Sequence, residues 1–193
     1  LNHYLELAYL HPDYFKPSKN AFDLLGLNVD ERYVIIRFVS WDAHHDIGHK
    51  GVSDKNKIKL VEEFKKQGHV FISSEKELPN ELEKFKINIP IEEMHNILAN
   101  AVLFFGESAT MAAESAVLGT PAIFIDDEGR GYTYELEKKF DLMYNFKESS
   151  SDFEKAMKKG LVLLSLNNVK KKWSDKKDIM LSNKINFSKF FIW

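Results

Sequence analysis

The stretch best suited to chemistry is Gly106-Glu107-Ser108-Ala109-Thr110. It follows the apolar run Val102-Leu103-Phe104-Phe105 and opens an Ala-rich segment that closes on Gly119-Thr120-Pro121. Small residues let a ligand approach the backbone, and the free N–H groups at a helix start favour phosphate. Ser108 and Thr110 can cap such a helix or donate to phosphate oxygens. Glu114 lies six positions after Ser108, nearly two turns along the helix. A carboxylate there can accept two hydroxyl hydrogen bonds, as a ribose diol offers. The alternative is plain architecture, with Ser108 an N-cap and the Ala residues packing. There is no Walker loop and no Gly-x-Gly-x-x-Gly fingerprint, which weakens mononucleotide hydrolysis and dinucleotide binding.

A second polar stretch runs from Arg37 to Gly51. Arg37 sits inside an apolar run, where an unpaired charge is costly, so it should meet an anion or a buried carboxylate. His44, His45, Asp46 and His49 offer nitrogen and oxygen ligands. Adjacent histidines on a loop do not converge easily on one ion, and no paired helical His supports them. No metal is therefore expected. Structural or exposed histidines and contact with a substrate or pyrophosphate remain as readings. Lys50 could supply charge to a diphosphate. Asp126, Asp127 and Glu128 could bind sugar hydroxyls or a divalent ion, or form a solvated turn. Arg130, between Gly129 and Gly131, can reach a phosphate.

The elements that must position these residues alternate strand and helix. Tyr33 to Val39 is β-branched, aromatic and nearly continuously apolar, as in a strand covered on both faces. Asp54 to Gln67 carries Ile58, Leu60, Val61 and Phe64 at helical spacing, with Gly68 as a stop. Val70–Ser73 reads as a strand, 77–85 as an acidic helix, 87–89 as a short strand and 91–100 as a helix. Strands at 102–105, 121–125 and 142–145 then alternate with helices at 108–118, 134–140 and 151–164. This order predicts a Rossmann-like, doubly wound α/β domain with a parallel sheet. Ligands bind such sheets beyond the carboxyl ends of the strands, where both polar stretches fall. The expected division is a linker or packing arm at 1–31, the Rossmann-like domain at 32–166, and a Lys-rich helix with an aromatic tail at 167–193.

Composition narrows the classes. The 193 residues carry 27 Lys+Arg against 29 Asp+Glu, a formal charge of -2, so no global basic field points to nucleic acid. With no Cys, disulfides, a thiol nucleophile and thiolate zinc sites are excluded. No apolar run approaches the roughly 20 residues that span a bilayer, and a cytoplasmic location is the expectation. The chain starts at Leu1 in what reads as structured sequence, so it is expected to be a piece of a longer protein.

The segment from Gly106 to Pro121 is similar to the donor-binding helix of GT-B glycosyltransferases and of non-hydrolysing UDP-N-acetylglucosamine 2-epimerases. Those epimerases carry an Asp-Ser-Gly-Gly-x-x-Glu-Glu run before a Leu-Gly-x-Pro strand entry. The resemblance places Ser108 on the phosphate-binding Ser and Glu114 on the ribose-binding Glu, followed by Leu118-Gly119-Thr120-Pro121. Ala109-Thr110 replaces the Gly pair and Glu107 stands where Asp is usual, which implies a tighter phosphate loop. Tyr9-Leu10-His11-Pro12, the Arg37 to Asp46 block and the Gly106 to Pro121 block together resemble the family called domain of unknown function 354. Its members are glycosyltransferase-like and nearly twice this length, which would make this chain a C-terminal, nucleotide-sugar-binding half.

The resemblance also implies site roles. The epimerases carry a His-Arg pair in the loop after the first strand of this domain, so His44 and His45 are the catalytic candidates. Arg37, Gly106, Ser108, Ala109, Thr110 and Glu114 are the nucleotide and phosphate candidates, with Lys50, His95, Asp126, Asp127 and Arg130 secondary. His95 would lie near the base, or be an ordinary surface histidine. The implied function is UDP-sugar binding in a GT-B-like glycosyltransferase of polysaccharide or surface-glycan synthesis. A sugar-nucleotide 2-epimerase and a non-catalytic nucleotide-binding module are the alternatives. Expected partners are a nucleotide-sugar as substrate, with no separate cofactor, the N-terminal half of the same protein, and a peripheral-membrane or lipid-linked acceptor.

Overall fold

The computed structural model describes residues 3–40, 51–186, 188 and 189. Five parallel strands form the sheet: β1 (Tyr33–Phe38), β2 (His69–Ser74), β3 (Leu103–Gly106), β4 (Ala122–Ile125) and β5 (Met143–Phe146). Their order is β2-β1-β3-β4-β5. The helices are α1 (Leu7–Leu10), α2 (Asn20–Leu24), α3 (Asp54–Phe64), α4 (Met94–Asn100), α5 (Ala109–Val117), α6 (Gly131–Lys138), α7 (Ser150–Leu164) and α8 (Val169–Ser182). The chain is thus a doubly wound, Rossmann-like α/β domain, with the switch in strand direction of travel between β1 and β3.

Burial on both faces explains the unbroken apolar runs of the central strands. All four residues of β3 and of β4 are buried, as is every β1 residue except Arg37. On one face α3 and α7 pack together, and Phe105 stands edge-on to Phe64 at 5.6 Å and to Phe153 at 6.0 Å. On the other face α5 is central, touching α1, α4, α6 and α8. Its interior Ala112, Ala113 and Ala116 are fully buried, so the Ala-rich composition is set by close helix–sheet packing.

Three local expectations are corrected. The acidic stretch 77–85 forms only a 3₁₀ turn, Glu83–Phe85. Pro79 interrupts it, and only Leu78 and Leu82 are buried, too little apolar surface to hold a full helix. The segment 87–89 makes no strand; Lys86 makes an isolated parallel bridge to Ile72 at the sheet margin. The helix expected at 134–140 begins earlier, at Gly131.

Both flanking segments join the same core. Tyr4, Leu7, Leu10, Ala21 and Phe22 of the N-terminal arm are buried within it. Helix α8 buries Val169, Trp173 and Met180, and the Trp173 indole N–H donates to the Leu142 carbonyl at 2.7 Å. Its lysines follow the solvated-face pattern only in part: Lys176 Nζ sits 3.7 Å from the centre of the Trp173 ring. Beyond it, Lys184 bonds both Glu135 oxygens at 2.9 Å. The aromatic positions 187, 190, 191 and 193 lie outside the described residues.

Candidate functional site

The carboxyl edge collects the ends of β1, β3 and β4 around the start of α5. Gly106 is there because the chain needs close approach: a Cβ on it would lie 2.5 Å from the Arg37 carbonyl oxygen and 2.8 Å from the Arg37 Cβ. Arg37 and Gly106 are register partners between β1 and β3, so the glycine lets the two strands meet at the switch point.

Ser108 is the N-cap of α5, with extended backbone and its hydroxyl oxygen accepting from Met111 N–H at 3.3 Å. The hydroxyl hydrogen is still available to donate, so capping and phosphate binding are compatible. The N–H groups of Ala109 and Thr110 have no acceptor within their own helix. Thr110 is exposed and Ala109 half-buried, which leaves this turn accessible.

Glu107, to which its place after Gly106 assigns no role of its own, serves as a tie between two segments. Its buried carboxylate accepts from Val39 N–H at 3.0 Å and from Val52 N–H at 2.6 Å. One side chain therefore ties β1's exit to the residues that lead into α3. His44, His45 and Lys50 fall between those two anchors and lie outside the described residues.

Glu114 forms the centre of a side-chain cluster built from three helices. Its Oε1 accepts from the Tyr9 hydroxyl at 3.0 Å and lies 3.0 Å from His95 Nε2. The Tyr9 and His95 rings are 5.5 Å apart at a 35° tilt, and Phe15 meets His95 edge-on at 6.0 Å. Helix α1 brings Tyr9, α4 brings His95 and α5 brings Glu114. Among the described residues, nothing donates to Oε2. Burial first, then the Glu114 charge, pushes the Tyr9 hydroxyl above the usual phenol range, so it stays a proton donor at neutral pH. Glu6, at the start of α1, is buried nearby. Desolvation raises its carboxyl, and the Glu114 charge adds to that. Tyr132 is raised by burial and then by Glu6.

The remaining candidates are more committed to structure. Arg37 donates Nη1 to Ser73 Oγ at 2.7 Å and pairs through Nη2 with Glu75, a carboxylate that is exposed and not buried as expected. The Asp126 carboxylate, 3% exposed, accepts from Glu128 N–H at 3.0 Å, and Asp127 accepts from Glu148 N–H at 2.9 Å. Those two therefore order the loops after β4 and β5, the turn reading. Arg130 caps α6 half-exposed, 3.8 Å from both Asp126 and Glu128. Among the described residues, no three His, Asp or Glu side chains group to hold a metal ion.

The structure thus brings Glu114 and His95 into contact, while Gly106, Ser108, Ala109 and Thr110 lie in sequence at the end of β3 and the start of α5. Residue-by-residue reading missed Tyr9 and Glu6 as parts of the cluster. Their spacing of three was the available signal, since it puts both on one face of a helix. Glu107's stapling role had no local signal, because its partners lie 68 and 55 residues away.

Comparison with solved structures bears out the Rossmann-like fold. A spinosyn rhamnosyltransferase complexed with spinosyn aglycone superposes with a TM-score of 0.55 at 13% identity, over 89% of this chain and 48% of that one. A UDP-N-acetylglucosamine 2-epimerase gives 0.52 at 13% identity, over 85% of this chain and 44% of that one. A putative UDP-N-acetylglucosamine 2-epimerase from Listeria monocytogenes gives 0.50 at 16%, over 84% and 42%. The chain spans less than half the length of these structures, and the likeness is one of fold. No family model and no curated protein sequence matches the chain. No helix among the described residues is long and apolar enough to cross a membrane.

Proposed function

We propose that this chain is the nucleotide-sugar-binding domain of a GT-B-like glycosyltransferase, with a UDP-sugar as donor and surface-glycan or polysaccharide synthesis as its setting. The observation that carries the reading is Glu114, held on Oε1 by Tyr9 and His95, with no donor to Oε2 among the described residues. A carboxylate held this way is preorganised to accept hydroxyl hydrogen bonds from a ribose.

In this reading the first turn of α5, through Ala109 and Thr110 N–H and the Ser108 hydroxyl, takes the diphosphate. His44 and His45 are the catalytic candidates in this reading. The leaving group of glycosyl transfer is a nucleoside diphosphate, and preorganised dipoles aimed at its growing charge lower the barrier. The N-terminal half of the same protein supplies acceptor binding and any base, and the acceptor is lipid-linked or at a membrane surface on the cytoplasmic side.

Calorimetry with UDP, GDP, CMP and their sugars tests the reading. UDP should bind the wild-type chain and bind Glu114→Ala about tenfold more weakly, the loss of one good charged hydrogen bond. Equal binding by both proteins removes the ribose assignment, and no binding by any nucleotide removes the reading altogether.

A sugar-nucleotide 2-epimerase is the second reading, favoured by epimerases at TM-scores of 0.52 and 0.50. Product analysis on the full-length protein separates the two. A transferase releases free nucleoside diphosphate, whereas an epimerase keeps the nucleotide on the sugar.

A further inference from the structure

At the opposite edge of the sheet, where the strands begin, a cavity of about 590 Å³ opens between the residues leading into β1 and β3 and the α7–α8 turn. Its acidic wall residues already have partners. Asp30 takes Lys19 Nζ at 2.8 Å, and Glu31 accepts from Asn28 N–H at 2.6 Å. Lys171 is likewise paired, with Asp175 at 2.6 Å.

Two cations in the same wall have no carboxylate partner among the described residues. Arg32 donates Nη2 to the Leu164 carbonyl, and its buried Nε finds no acceptor among the described residues. Lys170 donates from Nζ to the Ala99 carbonyl at 2.6 Å and to Thr120 Oγ1 at 2.8 Å, both neutral. A cation enclosed with neutral partners is costly, and an anion beside it removes that cost. Burial, and then the nearby charges of Lys177 and Lys19, push the Lys170 amine down to about 7. The first turn of α8 lines the cavity too, and its N-cap Asn168 makes no side-chain cap bond. Its free amides add to a wall in which Arg32 and Lys170 stand against one carboxylate, Glu31, held by a backbone N–H and lying 3.9 Å from His69.

We propose that this cavity is a second ligand site, taking a phosphoryl group or similar tetrahedral oxyanion between Arg32, Lys170 and the start of α8. It is remote in the fold from the carboxyl edge and independent of the nucleotide-sugar reading. The cavity is larger than one phosphate, so a small phosphorylated metabolite is an occupant as well as free phosphate.

The test is an NMR titration of the isotope-labelled full chain with inorganic phosphate and, in parallel, glycerol phosphate at constant ionic strength. The expected result is saturable movement of the Val169, Lys170 and Lys171 amides and of the Arg32 side-chain Nε–H. Arg32→Gln and Lys170→Met should each weaken it about tenfold, as expected for a lost charge-assisted bond. Whichever anion saturates at lower concentration identifies the class of occupant. Movement confined to the Ser108–Met111 turn, no movement at α8, or unchanged affinity in Arg32→Gln overturns the proposal. If Lys170→Met does not fold, the wild-type titration and Arg32→Gln decide it.

Discussion

The two edges of the sheet handle charge in opposite ways. At the carboxyl edge the buried charges are carboxylates, and each held one has donors: Glu107 takes two backbone N–H groups and Glu114 takes Tyr9 and His95. At the amino edge the enclosed charges are cations with neutral acceptors, Arg32 on a carbonyl and Lys170 on a carbonyl and a hydroxyl. The first arrangement presents acceptors and suits hydroxyl-bearing ligands, with helix N–H groups and the Ser108 hydroxyl offering for phosphate. The second presents donors on two cations with neutral partners. The same fold can thus recognise two chemistries, because strand polarity puts loop-to-helix starts at one edge and helix-to-strand turns at the other.

Substitutions at four positions test this contrast. Glu107→Ala should have the largest effect, since it strands two N–H groups, one of them buried. A loss of roughly 2–4 kcal/mol is expected in urea unfolding, from about 1–3 kcal/mol per unsatisfied group. Glu107→Gln, which keeps an oxygen acceptor, should lose less. Gly106→Ala comes next, at about 1–3 kcal/mol, because its Cβ meets backbone rather than a movable side-chain tip.

Lys170 gives a pH signature of comparable size. Its folded pKa is depressed to about 7 while the unfolded chain keeps an ordinary lysine, so between those values the unfolded state binds the extra proton. The penalty is complete below about pH 7 and is relieved as pH rises toward the ordinary lysine range. Stability should therefore climb with pH across that window, by at most about 1.4 kcal/mol per pH unit. Lys170→Met should remove this slope in chemical unfolding, and saturating phosphate should shift it to higher pH. A slope unchanged in the variant would show that Lys170 is an ordinary exposed amine.

The smallest effect is at the proposed ribose carboxylate. Tyr9→Phe should leave the fold intact and weaken UDP only a few-fold, about 0.5–1.5 kcal/mol for a neutral hydrogen bond. An effect as large as that of Glu114→Ala would mean that Tyr9 touches the ligand itself.

Local pattern made much of this chain legible. The buried strand at 33–38 was readable from its apolar continuity, and the helix after Gly106 from its Ser cap and Ala content. Where surface and apolar stripe were thin, as at 77–85, helical composition without enough burial gave only a 3₁₀ turn. The arm was readable only as a linker or packing segment, and its Tyr4, Leu7 and Leu10 are part of the core by contact.

By itself, the sequence determined the alternation of strand and helix, the parallel sheet, and the Gly106 to Thr120 block as the place to look. Periodicity and capping are local and need no knowledge of neighbours. Only the tertiary structure decided who meets whom. Glu114 finds Tyr9 across 105 residues, Glu107 finds Val39 and Val52, and Lys170 finds Thr120 across 50 residues with no carboxylate partner among the described residues. The electrostatic partner of a buried group is set by chain crossover and packing, and no residue spacing carries that information.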